Sequence, residues 1–238
     1  MNKADKYIKI FNEIENYLRK SLNEPNGTRF IDLLNLSKNN GNHVIKRYDS
    51  ELKEHGKLRN NIAHKNGTEY FATPTDIAIT HLDSIKNHLI KPRKVKDFIK
   101  NTPYTLEADT NLNDVLNLMH KNDFSQFPIY KERKYIGVLS TNTISRWLSS
   151  SKSEDGEIIK ELNKVKAEDV LKYNESSDEA IFIQEKITVY EFLSKVEENM
   201  NNHIWIMTLN GKRDQKPLRL VTPYDYDELY NYVAFKKG

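Results

Sequence analysis

The spacing of apolar residues near the start of the chain predicts a long helix. In residues 6–22, apolar side chains return every three or four positions, and charged side chains occupy many of the positions between them. This is the pattern of a helix that buries one face, because 3.6 residues complete each turn. The predicted inner face comprises Tyr7, Ile10, Phe11, Ile14, Tyr17 and Leu18.

Three further helices are predicted before residue 90. A short helix begins near Phe30 and ends before Gly41, and a long helix spans about residues 43–64. The inner face of the long helix comprises Val44, Ile45, Tyr48, Leu52, Leu58 and Ile62. Thr73 is the expected N-cap of the last helix, with Pro74 in its first turn. Short connections between these helices favour an antiparallel four-helix bundle.

After residue 91 the pattern changes to short β-type runs that alternate with helical stretches. The order strand, helix, strand, strand, helix occurs twice, at about residues 95–149 and 165–232. The segment between the copies is rich in serine and charge, which is typical of a linker. We therefore expect an α+β fold: an all-α four-helix bundle in residues 1–90, a β-α-β-β-α module in 91–149, a linker in 150–164 and a second module in 165–238.

The composition narrows the classes of function. The chain has 238 residues, of which none is Cys, so disulfides, thiolate metal sites and cysteine nucleophiles are excluded. No apolar run approaches the ~18–20 residues of a membrane span, so we expect a cytoplasmic protein without a membrane partner. A net charge of +3 is weak for a DNA-binding protein, so DNA is not an expected partner.

Four motifs of the repeated region resemble tandem CBS domains, which are β-α-β-β-α modules that occur in pairs. The resemblance covers about residues 94–232 and depends on the order and spacing of its motifs. They are Asp109–Leu116 (DTNLNDVL), Ser125–Tyr130 (SQFPIY) and Tyr135–Ser140 (YIGVLS) in the first copy, and Leu220–Asp225 (LVTPYD) in the second.

This resemblance implies an adenosyl ligand in a cleft between the paired modules. Thr222 and Asp225 match the family's Thr-x-x-Asp pattern, which implies that Asp225 accepts hydrogen bonds from the ribose and that Thr222 lies on the phosphate side. Phe127 and Ile204 are expected either to flank the purine or to belong to the core. AMP, ADP, ATP, S-adenosylmethionine and cyclic di-adenylate all fit this pattern.

Each copy departs from the family pattern at one position. In the first copy Ser140 is in place, but Thr143 stands where the ribose carboxylate is expected, so this site is predicted to be degenerate or differently selective. In the second copy Arg219 replaces the glycine that the first copy has at Gly137. Arg219 is expected either to meet phosphates or to fill the cleft. If the clefts are filled, the paired modules serve only for dimerisation.

The segment Leu58–His64 resembles the motif of HEPN domains, helical bundles of which many are metal-independent ribonucleases. Arg59, Asn60 and His64 match that motif. The resemblance implies that His64 moves a proton, that Arg59 holds a phosphate of RNA, and that two motifs pair across a dimer. In the inactive alternative, Arg59 pairs with an acid and His64 caps helix carbonyls.

Other histidines give no sign of a metal site, and no metal is predicted. Glu51 and His55 lie one helical turn apart and are expected at the surface, whereas His81 and His88 show no evident partner.

Three hypotheses follow, each with a homodimer. The first is an adenine-nucleotide-responsive regulatory protein in which the CBS pair controls the HEPN-like domain. The second is a metal-independent ribonuclease of toxin or defence type, with the CBS pair as dimer scaffold and RNA as substrate. The third is a non-catalytic module that recruits a partner protein.

Overall fold

The computed structural model describes residues 2–63, 65–66, 69–151, 161–199 and 204–235, and it shows the predicted mixture of helices and sheets. The helices are α1 (Lys3–Leu22), α2 (Phe30–Asn39), α3 (His43–Ala63), α4 (Asp76–Ile90), α5 (Leu112–Asn122), α6 (Thr141–Ser150), α7 (Ala167–Val170), α8 (Val189–Glu198) and α9 (Tyr226–Val233). The strands are β1 (Lys65–Asn66), β2 (Glu69–Tyr70), β3 (Leu106–Glu107), β4 (Gln126–Lys131), β5 (Lys134–Ser140), β6 (Ile181–Gln184), β7 (Trp205–Thr208) and β8 (Arg219–Val221).

The chain divides into two compact units. The helical unit contains the described residues up to Arg93 together with Thr188–Ser194 and residues 231–235. The modular unit contains Lys94–Ile187 and Lys195–Tyr230, within the described ranges. The boundaries expected from the sequence, at residues 90, 149 and 164, stay a prediction.

Helices α1 to α4 pack against one another in the helical unit. Helix α1 contacts α2, α3 and α4, while α3 contacts both α2 and α4. The predicted inner face of α1 is confirmed at five of its six positions, with Tyr17 only half-buried. The buried positions are Tyr7, Ile10, Phe11, Ile14 and Leu18. The periodic apolar pattern therefore identified the packed face correctly.

The start of α4 differs from the prediction. Its N-cap is Thr75, whose Oγ1 accepts a hydrogen bond from the backbone N–H of Ala78 at 3.2 Å. The prediction of Thr73 as the cap was wrong, because Pro74 precedes the cap and lies outside the first helical turn. Thr75 satisfies an N–H group that would otherwise have no partner at the helix start.

The histidine expected at the surface of α3 is buried. His55 is 7% exposed, and its Nδ1 atom lies 2.7 Å from the hydroxyl of Tyr7. Its Nε2 atom lies 3.2 Å from Nδ1 of His81. The surface prediction was wrong because His55 shares a helix face with Leu52 and Tyr48, three and seven positions earlier, and that face is buried.

The two histidines of α4 both have partners. Beyond the contact of His81 with His55, Nδ1 of His88 lies 2.5 Å from the hydroxyl of Tyr190 and 3.3 Å from that of Tyr48. The expectation that His81 and His88 lack partners was therefore wrong. Their partners come from distant positions of the chain, which a helical spacing pattern does not reveal.

The modular unit shows the same strand pairing twice. Strand β4 is parallel to β3 and antiparallel to β5, and β7 is parallel to β6 and antiparallel to β8. The order β-α-β-β-α predicted from the sequence is present in both copies. Phe127, Ile129, Ile204 and Ile206 are all buried, so they contribute to the core of this unit.

Candidate functional site

A cavity of about 640 Å³ lies in the modular unit. Residues of both copies line it. Its walls come from the loop before β3, the junction of α5 and β4, and the segments that follow β5 and β8. Asn101 supports this wall, because its side chain donates to the carbonyl of Leu220 at 2.8 Å and accepts from the N–H of Leu220 at 3.2 Å. The loop before β3 is therefore tied to strand β8.

The predicted pair Thr222 and Asp225 lies together at this cavity. The backbone N–H and the hydroxyl of Thr222 donate to Oδ2 of Asp225, at 2.7 and 3.1 Å. Within the part of the chain that the structure describes, Oδ1 of Asp225 accepts no hydrogen bond. One carboxylate oxygen thus fixes the turn, and the other remains available to a ligand.

Ser140 and Thr143, which correspond in the first copy to Thr222 and Asp225, differ in their exposure to the cavity. Ser140 lines the cavity, and its Oγ accepts from the N–H of Thr143 at 3.1 Å. Thr143 is fully buried, and its hydroxyl donates to Oδ1 of Asn174 at 2.7 Å. Asn174 is held in turn by Nδ2 donating to the carbonyl of Val138 at 2.8 Å. The structure therefore does not bring Thr143 to the cavity.

A carboxylate that the sequence analysis missed joins Ser140 at the cavity wall. The hydroxyl of Ser140 donates to Oδ1 of Asp178 at 3.0 Å, and the other oxygen of Asp178 forms an ion pair with Arg146. Arg146 also donates from Nε to the carbonyl of Tyr173 at 2.8 Å. Asp178 lies 38 positions after Ser140, so local motif spacing gave no signal for it.

Aromatic side chains form a second wall of the cavity. The ring centroids of Tyr104 and Phe127 are 5.7 Å apart, and Phe124 lies 5.7 Å from Phe127. Phe127 and Ile204, each expected either to flank the purine or to belong to the core, line the cavity from the buried side. Tyr224 also lines it and is 92% exposed. The sequence analysis missed Tyr104, Phe124 and Tyr224. Their one signal in the sequence was the position of a bulky aromatic residue in a loop beside the end of a strand.

Arg219 does not line the cavity. Its Nε donates to the carbonyl of Ile99 at 3.2 Å, and its Nη1 donates to the carbonyl of Leu218 at 2.6 Å. The guanidinium therefore does not close the cavity, and the structure does not bring it beside Thr222 and Asp225.

Arg59 and Asn60 line a separate cavity of about 680 Å³ in the helical unit. Nη1 of Arg59 donates to Oδ1 of Asn60 at 3.3 Å, and the guanidinium carbon lies 5.7 Å from the ring centroid of Phe11. Nε of Arg59 is buried and has no hydrogen-bond partner among the described residues. His64, the third residue of this motif, lies outside the described residues.

The described ranges hold neither a cluster of metal ligands nor a membrane-spanning helix. No group of three or more His, Asp or Glu side chains there could hold a metal ion. None of the helices in these ranges has the length and the apolar character needed to cross a bilayer.

The comparison with protein families assigns the first module. Residues 95–150 match the family model of the CBS domain, so this segment of the chain is a CBS domain. No curated protein matches the sequence.

Several solved structures resemble this chain. The protein AcuB from Vibrio cholerae, named for acetoin utilization, is 17% identical over 59% of this chain and 91% of its own, with a TM-score of 0.44. A hemolysin-like protein with a CBS domain from Oenococcus oeni is 15% identical over 59% and 93%, with a TM-score of 0.42. The CBS domain of a bacterial CNNM/CorC family Mg²⁺ transporter, solved with ATP, is 18% identical over 63% and 93%, with a TM-score of 0.44.

Proposed function

We propose that this chain is a regulatory protein in which the cavity of the modular unit binds an adenosyl ligand and thereby controls the helical domain. One observation carries this proposal: Thr222, Asp225 and an aromatic wall converge on one cavity of about 640 Å³. A cavity of this size is within the range of small-molecule sites. The resemblance of both copies to CBS modules supplies the adenosyl class of ligand.

The available groups fit the parts of an adenosine. Oδ1 of Asp225 accepts from a ribose hydroxyl, and a charged acceptor makes this hydrogen bond stronger than a neutral one would. The rings of Tyr104 and Phe124 offer partly exposed surfaces against which a purine stacks. Ile204 supplies apolar contact from the floor of the cavity.

Control requires a ligand with different affinities for two arrangements of the protein. A coupling free energy of about 1–3 kcal/mol is sufficient, since it changes an affinity by roughly 5- to 150-fold. The chain leads directly from Asp225 into α9. The last residue of α9, Val233, accepts a hydrogen bond from the hydroxyl of Tyr48 at 2.7 Å within the helical unit. Helix α9 is therefore our proposed path of control.

Calorimetric titration of the full chain with adenosine, AMP, ADP, ATP, S-adenosylmethionine and cyclic di-adenylate tests the binding step. We expect at least one ligand to bind, and Asp225→Asn to weaken it by about tenfold, the effect of losing one charge-assisted hydrogen bond. Asp227→Asn is the matched control, because Asp227 is exposed in the first turn of α9, two positions after Asp225, and does not line the cavity. Absence of binding by all six ligands at millimolar concentration would refute the proposal.

A second candidate function is metal-independent RNA cleavage by the helical domain, working as a homodimer. It is favoured by the unpartnered Nε of Arg59 at a cavity wall, where a phosphate would supply an acceptor. In this function His64 moves the proton of the ribose hydroxyl or of the leaving oxygen.

RNA incubated with the protein in EDTA tests this second function. We expect products with 2′,3′-cyclic phosphate ends, lost in Arg59→Ala and His64→Ala. Arg47→Ala is the control, because Arg47 is exposed on the same helix and lies outside the cavity. Cleavage that needs magnesium or survives His64→Ala would contradict it.

A further inference from the structure

The charged side chains that line the cavity of the modular unit are all acidic. They are Asp123, Asp178 and Asp225, and no Lys, Arg or His is among the described residues that line it. Asp178 is paired with Arg146, which does not line the cavity. Asp123 and Asp225 form no ion pair with the described part of the chain. The wall therefore carries an uncompensated negative charge.

Backbone donors at the strand ends are largely used within the protein. The N–H of Thr222 donates to Asp225, and the N–H of Thr143 donates to Ser140. The N–H of Thr141 donates to the carbonyl of Ser125 at 2.9 Å. A phosphate at a helix start normally receives such N–H groups. These three N–H groups are engaged within the protein, so they do not offset the charge of the acidic wall.

The basic residue best placed in sequence to replace these donors is also engaged elsewhere. Arg219 donates to the carbonyls of Ile99 and Leu218 and does not line the cavity. A polyphosphate in this cavity would meet the carboxylates of Asp123 and Asp225 with no Lys or Arg among the described residues that line it, and like charges repel.

Aromatic side chains favour a cation in the same place. Tyr104 and Phe124 are 44% and 42% exposed, and Tyr224 is 92% exposed. The face of an aromatic ring attracts an ammonium or sulfonium group through its quadrupole. The aromatic and the acidic side chains of the cavity therefore both favour a positively charged ligand.

From these observations we infer that the cavity takes an adenosyl ligand whose side group is positively charged, and that it discriminates against adenine nucleotides with phosphate chains. The sulfonium and ammonium groups of such a ligand lie near Asp123 and the aromatic wall, while the ribose lies at Asp225. This inference rests on the proposed function, because it concerns the ligand of the same cavity.

Calorimetry of the full chain with S-adenosylmethionine, S-adenosylhomocysteine, AMP and ATP tests the inference, with ATP measured both with and without Mg²⁺. S-adenosylhomocysteine is the matched probe, since it lacks only the methyl group and the sulfonium charge. We expect S-adenosylmethionine to bind about tenfold or more tightly than each of the others. Its affinity falls as salt is raised, because salt screens the attraction of opposite charges.

Substitution of an acidic residue that lines the cavity tests whether its charge causes the preference. Asp123 adopts a positive φ of 55°, which Asn tolerates, so Asp123→Asn removes the charge and keeps the backbone. We expect this variant to reduce the preference for S-adenosylmethionine over S-adenosylhomocysteine severalfold. Asp109→Asn, at an exposed acid outside the cavity, leaves the preference unchanged.

The failures of the two proposals are distinguishable. Tighter binding of AMP, of ATP or of ATP with Mg²⁺ overturns the charge preference and leaves an adenosyl site in place. Equal binding of S-adenosylmethionine and S-adenosylhomocysteine also overturns the preference. No binding by any of the four overturns the preference, and the adenosyl site itself is overturned only if adenosine, ADP and cyclic di-adenylate also fail to bind.

Discussion

The hydroxyl of Tyr7 lies 2.7 Å from Nδ1 of His55 in the interior of the helical unit. On its other side the His55 ring meets Nδ1 of His81 at 3.2 Å. Burial is the main cause that lowers the pKa of His55 to about 4, and the neighbouring His81 lowers it further. Burial also lowers the pKa of His81, against the opposing effect of Glu51. The chain Tyr7–His55–His81 is therefore neutral at pH 7.

Acid is predicted to destabilise the helical unit through His55. The folded pKa of about 4 lies below the ordinary value of 6.5, so the unfolded state binds more protons between these values. The contribution of His55 to the free energy of unfolding is therefore complete above pH 6.5 and is lost as the pH falls towards 4. The loss reaches about 3 kcal/mol. Urea unfolding from pH 8 to pH 4 measures it.

His55→Gln should flatten that dependence on pH, because the substituted side chain does not titrate. His120→Gln, which replaces an exposed histidine, is the control for the substitution itself. An identical slope in His55→Gln and in the unmodified protein would show that other groups cause the acid sensitivity.

Removal of the Tyr48 hydroxyl is predicted to weaken the helical unit. This hydroxyl donates to the carbonyl of Val233 at 2.7 Å and lies 3.1 Å from the hydroxyl of Tyr190. Tyr48→Phe leaves a buried carbonyl without its donor, which costs about 1–3 kcal/mol. Urea unfolding measures this cost. Tyr17→Phe is the matched control, because the Tyr17 hydroxyl bonds to none of the described residues; equal losses in both variants would contradict the prediction.

Removing Arg146 alone is predicted to lower the free energy of unfolding more than neutralising both Arg146 and Asp178. The Asp178 side chain is 7% exposed, so Arg146→Gln leaves a buried carboxylate without its cation. We expect a loss of about 3 kcal/mol in the free energy of unfolding. In Arg146→Gln with Asp178→Asn, the second change removes the stranded charge and restores about half of the loss or more. Additive losses in the double variant would disprove a direct coupling.

Substitution of Gly41 is predicted to destabilise the protein because of the backbone conformation at this position. It adopts a φ of 82° between α2 and α3, and no other group lies within 4 Å of the place that a Cβ atom would occupy. Gly41→Ala therefore costs about 1 kcal/mol from conformational strain alone. Gly27→Ala is the control, since Gly27 has equally open surroundings and no positive φ. Equal thermal unfolding midpoints of the two variants would contradict this explanation.

Regular packing was the part of the fold that the sequence predicted best. The periodic positions of α1 and α3 are buried almost throughout, because a single face must be covered wherever such a helix packs. His55 escaped prediction although it lies on that face, since its polar ring is satisfied by Tyr7 and His81 from other helices. Pairings of that kind depend on tertiary contacts, which spacing does not encode.

The sequence predicted only some of the residues that line the cavity, again because the others meet through tertiary contacts. Thr222 and Asp225 are three positions apart in one turn, so a local motif sufficed to place them together. Asp178 contacts Ser140 from a distant position in the chain, and the orientation of Arg219 depends on the carbonyl of Ile99, 120 positions away. Whether Phe127 lines a cavity or fills the core was undecided in the sequence; it does both.

The burial of Thr143 has a consequence for how the protein would respond to a signal. With its hydroxyl enclosed by Ser140 and Asn174, the first copy's counterpart of the Asp225 position is inaccessible to a small molecule. Occupancy of the Thr222–Asp225 cavity would then saturate at one molecule per chain. A monomer of this protein would answer rising ligand concentration with a single hyperbolic curve, and any steeper response would have to come from communication between chains.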